Sequence, residues 1–383
     1  MRKEKSGKPK RRLRVGVIFG GRSAEHEVSL VSASSIINSL DKEKYEIIPV
    51  GITPQGKWFS DRNILCYLQD KCFNKIKFHT VLPPDPTVGG ILIWDGSSKI
   101  FKKIKLDVVF PVLHGTFGED GTVQGLMELA DLPYVGADVL ASAIGMDKVV
   151  TKQLCEQNGI PVVPYVWFYS REYRKNAGTI KSFIEKKLKY PLFIKPANSG
   201  SSVGITKVHN RKELHPAILI AGRYDTKILV EESVENAREI EVSVLGNEFP
   251  RSSIPGEIIS SNEFYDYDAK YVDGLSKTII PAQLSESLIK KIQKYSLEAF
   301  KCTGCSGMAR VDFLVSRSKG RLYFNEINTI PGFTMISMYP KLWEATGLSF
   351  SQLLDELIKL AIEKHKEKSR LCRNFKPKQD WYR

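Results

Sequence analysis

Two apolar segments late in the chain carry polar groups at every second position, Arg310-Val311-Asp312 in one and Glu326-Ile327-Asn328 in the other. Side chains two apart on a strand share a face, so Arg310 lies beside Asp312 and Glu326 beside Asn328. Ala309, Val311, Phe313 and Leu314 flank the first pair, and Leu322, Tyr323, Phe324 and Ile327 flank the second. Only residues 316–321 separate the two segments, which predicts a hairpin. In register, two carboxylates and an amide carbonyl would converge. Two like charges about 4 Å apart repel by roughly 4 kcal/mol at an effective dielectric of 20. A divalent cation relieves that repulsion, and hard oxygen ligands too few for a closed cage indicate magnesium shared with phosphates rather than zinc or calcium. The alternative is an Arg310–Asp312 salt bridge beside a polar strand end, and the spacing leaves both readings open.

At 383 residues the chain exceeds one hydrophobic core and predicts two or three domains. Its net charge of +14 resembles a nucleic-acid signal until it is located. Residues 1–14 hold eight Lys/Arg and one Glu, and residues 364–383 hold eight Lys/Arg and two acids, which leaves about one net charge for the whole body. No nucleic-acid groove is expected from a nearly neutral body. The two basic ends read as solvated tails without a defined target. No apolar run approaches the length of a membrane span, and no apolar stretch follows the basic N-terminus, so a cytoplasmic protein is expected. Six cysteines show no framework spacing. Cys302 and Cys305 form a lone CxxC pair, read as reduced thiols packed near the end of a helix that begins at Ser285.

Strand and helix patterns alternate from the start, with strands over 13–19, 45–52 and 106–113 and a helix over 29–40, which predicts an open α/β sheet. Its first and last strands run into polar, glycine-containing loops at 20–25 and 114–121, and ligands in such sheets bind beyond the carboxyl ends of strands. Helices follow over 137–145 and 147–159, with Asp147 as cap and Lys148 near a helix N-terminus, where anions bind. A second unit takes strands at 164–169, 191–195, 204–208 and 227–231, with a helix near 180–188, a loop over 196–203 and a second helix up to 220 between them.

The loop Asn198-Ser199-Gly200-Ser201-Ser202-Val203-Gly204 can present amides and hydroxyls to a polyphosphate, with Lys195 just before it. It joins two strands and lacks the Gly-Lys-Ser/Thr ending of a Walker A loop. A flexible hairpin is the plainer reading of the same residues. Residues 263–271, which include Lys270 and Tyr271, form a long connection of the kind used as lids.

In this order, Lys148, Lys195 with the glycine-serine loop, Glu231 and Glu232 after a strand, then Asp312, Glu326 and Asn328 resemble the ATP-grasp fold. Residues 20–29, 114–121, 264–271 and 325–337 are similar to the D-alanine:D-alanine ligase family in particular, and the resemblance covers residues 14–363. It implies an α/β, three-domain ATP-grasp architecture, an N-terminal Rossmann-like open sheet with two α+β domains enclosing ATP. The implied boundaries are a basic extension 1–13, a substrate domain 14–135, a central subdomain 136–231, a C-terminal subdomain 232–363 with a lid at 261–277, and a basic tail 364–383.

The resemblance implies ATP-dependent ligation of two D-alanines through a D-alanyl phosphate, for peptidoglycan precursor synthesis, by a homodimer. Lys148 and Lys195 would hold the α- and β-phosphates, with Ser202 in the phosphate loop and Lys270 at the terminal phosphate. Glu231, Glu232 and Val234 would meet adenine, and Glu239 the ribose. Asp312, Glu326 and Asn328 would bind two magnesium ions, with manganese able to substitute. Glu25 would pair with the first D-alanine's ammonium beside His114, and Ser201 and Tyr271 would complete a bridge to Glu25. Ser337 would receive the second carboxylate, while Arg310 and the Gly332 amide face the reacting carbonyl oxygen. An extra residue near Glu235 leaves the adenine contacts open by one position. A D-alanine:D-lactate ligase, another ATP-grasp carboxylate-amine ligase and a non-catalytic binding protein are the alternatives, and Tyr271 argues against the first.

Overall fold

A computed structural model describes residues 11–95, 102–259, 277–317 and 320–373, and three sheets organise them. In the first, Leu13–Gly20 pairs in parallel with Tyr45–Ile52 on one side and Val108–Val112 on the other. Val15, Val17, Ile18 and Phe19 are all buried, as a parallel strand covered on both faces requires. Beyond Tyr45–Ile52 the sheet departs from a doubly wound pattern. Trp58–Phe59, His79–Val81, Gly90–Trp94 and Lys102–Lys105 add in turn as antiparallel neighbours. Antiparallel strands need only a turn between them, whereas parallel ones need a crossover.

The first helix is His26–Ser39, three residues earlier than its apolar pattern indicates. Its first turn closes on Glu25, whose carbonyl accepts the Ser29 N–H at 3.0 Å. The Glu25 carboxylate makes no capping bond, which frees it for other partners. Leu30, Ala33 and Ile36 of this helix share one core with Val15, Val17 and Phe19 and with Leu353, Leu354, Leu357 and Ile358 of the last helix, Phe350–Ser369. The opposite face of the sheet is covered by Thr122–Leu129 through Val123 and Met127.

The second sheet is antiparallel, in the order Thr206–Val208, Leu192–Pro196, Lys227–Glu232 and Tyr165–Tyr169, with Ala177–Lys187 and Arg211–Ala221 packed on one face. The third runs Lys277–Ile279, Gly256–Ile259, Ala237–Gly246, Gly307–Ser316 and Leu322–Asn328. Its last two strands are the hairpin, with Arg310 opposite Asn328, Asp312 opposite Glu326 and a register shift just after Asp312.

Helices Val139–Met146 and Lys148–Gln157 lie where the sheets meet, and the Asp147 carboxylate caps the second by accepting the N–H groups of Val149 and Val150. Ala141, Cys155 and Ile160 join the core of the third sheet, while Val149 packs on Ala197 and Leu229 of the second. Lys148–Gln157 is therefore a wedge between two sheets. The cysteines are free thiols, with Cys305 buried and Cys302 half-buried near the end of helix Glu286–Cys302, which Ser285 caps.

The stretch expected as a basic tail from residue 364 is helical as far as Ser369. Phe350–Ser369 runs through that boundary, and Lys364, His365 and Lys368 meet Asp138, Asp131 and Glu128. The acids come from segments more than 200 residues away, so the local charge run resembled a solvated end. At the other terminus Arg11 pairs with Asp107.

Candidate active site

A cavity of about 740 Å³ opens where the three sheets converge. The hairpin supplies its charged wall. Arg310 donates to both oxygens of Asp312, at 2.8 and 2.7 Å, and lies 3.0 Å from Glu241 on the adjacent strand. Burial works against the Arg310 charge, yet Asp312 and Glu241 hold its pKa well above the usual value. The Asn328 amide donates to Asp312 at 3.0 Å, and Lys148 Nζ lies 3.4 Å from Glu326. The salt bridge that the spacing allowed is thus present, on the same face as the carboxylates that the metal reading needs. Among the described residues no three His, Cys, Asp or Glu side chains converge as a ready-made cage. The donor set is all oxygen and incomplete, which suits a cation that arrives with waters and phosphates.

Lys148 Nζ also donates to the Ser199 carbonyl at 2.7 Å, tying the wedge helix to the glycine-serine loop. Lys195 takes a different direction. Its ammonium donates to Glu231, two positions along on the neighbouring strand's same face. The other Glu231 oxygen is 2.9 Å from Lys152. Burial opposes a charge on Glu231, but the two lysines more than offset it and bring its pKa down to about 2. Glu231 was expected beside adenine. Its carboxylate is instead turned into the protein between two ammonium groups, because the strand pairing puts it on the Lys195 face.

Glu25 lines the same cavity. Its carboxylate accepts the Ser201 hydroxyl across 176 residues of sequence. Ser201 and Ser202 both have left-handed backbone, with φ of 46° and 58°, which turns the loop toward Glu25. Two glycines make room for the carboxylate, since a Cβ on Gly115 would meet Glu25 Oε2 at 2.3 Å and one on Gly200 at 2.6 Å. His114 is buried with both ring nitrogens engaged, Nδ1 donating to the Ile330 carbonyl and Nε2 accepting from Ser32, each at 3.0 Å. Burial pushes its pKa down against the pull of Glu25, so the imidazole is neutral. Glu119 joins the same two segments by accepting the N–H groups of Gly115 at 2.7 Å and Ile330 at 3.1 Å.

The segment from Thr329 to Met338 lines the cavity and is anchored by Phe333, 1% exposed, whose ring packs against Phe110, Tyr339 and Phe350. That anchor sets Gly332 beside Ser337, whose hydroxyl accepts the Thr334 N–H at 3.1 Å. The cavity thus brings together Glu25, His114, Lys148, Ser201, Ser202, Arg310, Glu326, Asn328, Gly332 and Ser337. Asp312 lies beneath Arg310 and is buried. Lys195, Glu231, Glu232, Val234 and Glu239 are not among its lining residues. Glu232 accepts the Lys189 N–H at 2.9 Å. Lys270 and Tyr271 lie outside the described residues. Sequence reasoning missed Lys152, Glu119 and Glu241, although Lys152 stands one helical turn after Lys148 and Glu241 two strand positions after Glu239.

Two antiparallel sheets joined by a lysine-bearing wedge, beside a first, mixed sheet whose loops carry the acidic pocket of Glu25, place the chain among the ATP-grasp enzymes. The families described as D-ala D-ala ligase N-terminus and D-ala D-ala ligase C-terminus match residues 14–137 and 154–359. The chain belongs to the D-alanine–D-alanine ligase family. It is 53% identical over 358 residues to the D-alanine–D-alanine ligase of Thermoanaerobacter sp. (strain X514), covering 93% of this chain and 98% of that one. Among solved structures, the D-alanine-D-alanine ligase from Coxiella burnetii shares 39% identity with a TM-score of 0.81, over 94% of this chain and 96% of the other. The VanG D-Ala:D-Ser ligase from Enterococcus faecalis shares 42% identity at the same TM-score of 0.81, over 92% of this chain and 100% of the other.

Proposed function

We propose that this chain joins two D-alanines into D-alanyl-D-alanine, consuming ATP and releasing ADP and phosphate, as the terminal dipeptide of a peptidoglycan precursor. The observation that carries the reading is Glu25, held by Ser201 in the same cavity as Lys148, Arg310 and Glu326. An anionic pocket for an ammonium beside cationic groups for phosphates is what a ligase of amino acids needs.

In this reading the first D-alanine sets its ammonium against Glu25. Its carboxylate oxygen attacks the γ-phosphorus, and the bond to ADP breaks. The second D-alanine, its carboxylate received at Ser337, attacks the acyl carbon with its free amine, and the bond to phosphate breaks. Arg310 and the Gly332 amide stabilise the oxygen of the tetrahedral intermediate, already oriented before charge develops there. His114 orients the acidic pocket and carries no proton in the reaction, since both ring nitrogens are occupied. Lys148, Lys195, Ser202 and Lys270 serve the phosphates. Adenine is left to Glu232, Val234 and the backbone beside Glu231, with Glu239 at the ribose. Asp312, Glu326 and Asn328 would hold two magnesium ions, or manganese in their place, which neutralise phosphate charge when bound. The family resemblance assigns Tyr271, outside the described residues, to a bridge with Ser201 and Glu25, and exclusion of water would protect the acyl phosphate. The enzyme works in the cytoplasm as a homodimer.

The test is phosphate release from ATP and magnesium with D-alanine, L-alanine, D-alanine plus D-lactate, and D-alanine plus D-serine, with products identified by mass. D-serine belongs in the set because a D-Ala:D-Ser ligase is as similar in structure as a D-alanine-D-alanine ligase. Release dependent on D-alanine alone, with D-alanyl-D-alanine formed, supports the reading. A mixed product as the main species, or no amino-acid-dependent release, overturns it.

A further inference from the structure

Lys152 has no part in the scheme above, yet it is among the most enclosed charges in the molecule. Its side chain is 1% exposed, and Glu231, its partner at 2.9 Å, is 2% exposed. An ammonium with so little access to water stays charged only beside a compensating anion. Here one carboxylate serves two ammonium groups, Lys152 on one oxygen and Lys195 on the other. The two lysines are not equivalent. Lys152 is on the wedge helix, one turn beyond Lys148 and facing the protein interior. Lys195 is on strand Leu192–Pro196, which leads into the glycine-serine loop, and its side chain is 11% exposed.

We infer that Lys152 is a positioning residue for nucleotide binding. It holds the Glu231 carboxylate permanently, so that Lys195 can leave Glu231 for a phosphate oxygen without stranding a buried anion. The inference rests on the reading of Lys195 as a phosphate ligand. Breaking a buried ion pair by removing one partner leaves the other charge uncompensated and is strongly unfavourable, whereas removing both is often nearly neutral. With Lys152 in place, Glu231 keeps a partner when Lys195 turns away. Without it, Lys195 is the remaining counter-ion and is retained at Glu231. The cost then falls on nucleotide affinity and not on either D-alanine site.

The experiment compares K152M, K195M and the double variant K152M/E231Q in the full chain, measuring KM for ATP, KM for D-alanine and kcat. K152M should raise KM for ATP by about tenfold, with kcat and KM for D-alanine within about twofold of wild type. Adding E231Q removes the anion that retains Lys195, and KM for ATP should return to within about threefold of wild type. An unchanged KM for ATP in K152M, or a double variant no better than the single one, overturns the inference. K195M separates the two readings. If it leaves KM for ATP unaltered, the assignment of Lys195 to phosphate fails; if it raises KM while K152M does not, only the role of Lys152 fails. Should K152M not fold, the double variant decides alone, because a tenfold loss of ATP affinity there contradicts the mechanism.

Discussion

Replacing Ser201 tests how the acidic pocket is joined to the glycine-serine loop. The Ser201 hydroxyl donates to Glu25 from a loop in which Ser201 and Ser202 both have positive φ. A hydrogen bond to a charged group contributes about 1.5–3 kcal/mol net. Holding a non-glycine residue in left-handed backbone costs roughly 1–2 kcal/mol. The bond therefore offsets the strain at Ser201 and leaves little surplus. Ser201→Ala removes the bond but keeps the strain, so the loop relaxes away from Glu25. A loss of about 1.5–3 kcal/mol corresponds to a fall of roughly 10- to 150-fold in kcat/KM for D-alanine. Ser201→Gly removes the same hydroxyl in a residue that accepts positive φ. It should lose as much activity as the alanine variant while melting at a higher temperature. Steady-state kinetics and thermal denaturation of the two variants supply the comparison. Alanine activity within twofold of wild type would refute the argument, and so would a glycine variant less stable than the alanine one.

If Glu326 holds magnesium as proposed, Glu326→Gln should abolish ATP turnover, and full activity at ordinary magnesium concentrations would contradict that role. Glu231 has its pKa depressed from 4.5 to about 2, so its stabilisation is present above pH 4.5 and is lost as pH falls through about 2. Glu231→Gln should accordingly lower stability by about 3 kcal/mol at neutral pH and remove that part of the acid transition, as denaturant titrations between pH 2 and 7 would reveal. Phe333→Ala should cost about 3–5 kcal/mol of stability, because its ring packs against three others in the core. It should also raise KM for the second D-alanine, since the same ring anchors the Gly332–Ser337 segment; an unaltered KM would separate the anchor from the site.

The hairpin was readable because strand periodicity is local, and Asp312 faces Glu326 in the register that the alternating pattern implies. Asp147 as a helix cap was readable for the same reason. Partnerships set by tertiary contact were hidden. Lys152 looked like any lysine on an amphipathic helix until strand Lys227–Glu232 brought Glu231 to it. The family resemblance implied adenine for Glu231, and nothing local in the sequence shows that the pairing of its strand with Leu192–Pro196 turns the carboxylate toward Lys195. The C-terminal charge run was misjudged because its acids lie on other elements. The parallel start of the first sheet was legible, but not its antiparallel extension, whose strands are two to five residues long.

The last helix shares its core with the first strand, Leu353, Leu354, Leu357 and Ile358 lying with Val15, Val17 and Phe19. During synthesis those strand residues leave the ribosome long before their cover exists. About 335 residues separate them, and at roughly 5–20 residues per second the delay is about 17–67 s. For that interval the nascent N-terminal sheet has one apolar face without its final cover. Chains truncated before residue 350 should therefore be prone to aggregate even with every residue of the acidic pocket present. In this protein the order of translation is opposite to the order in which the first sheet can be completed.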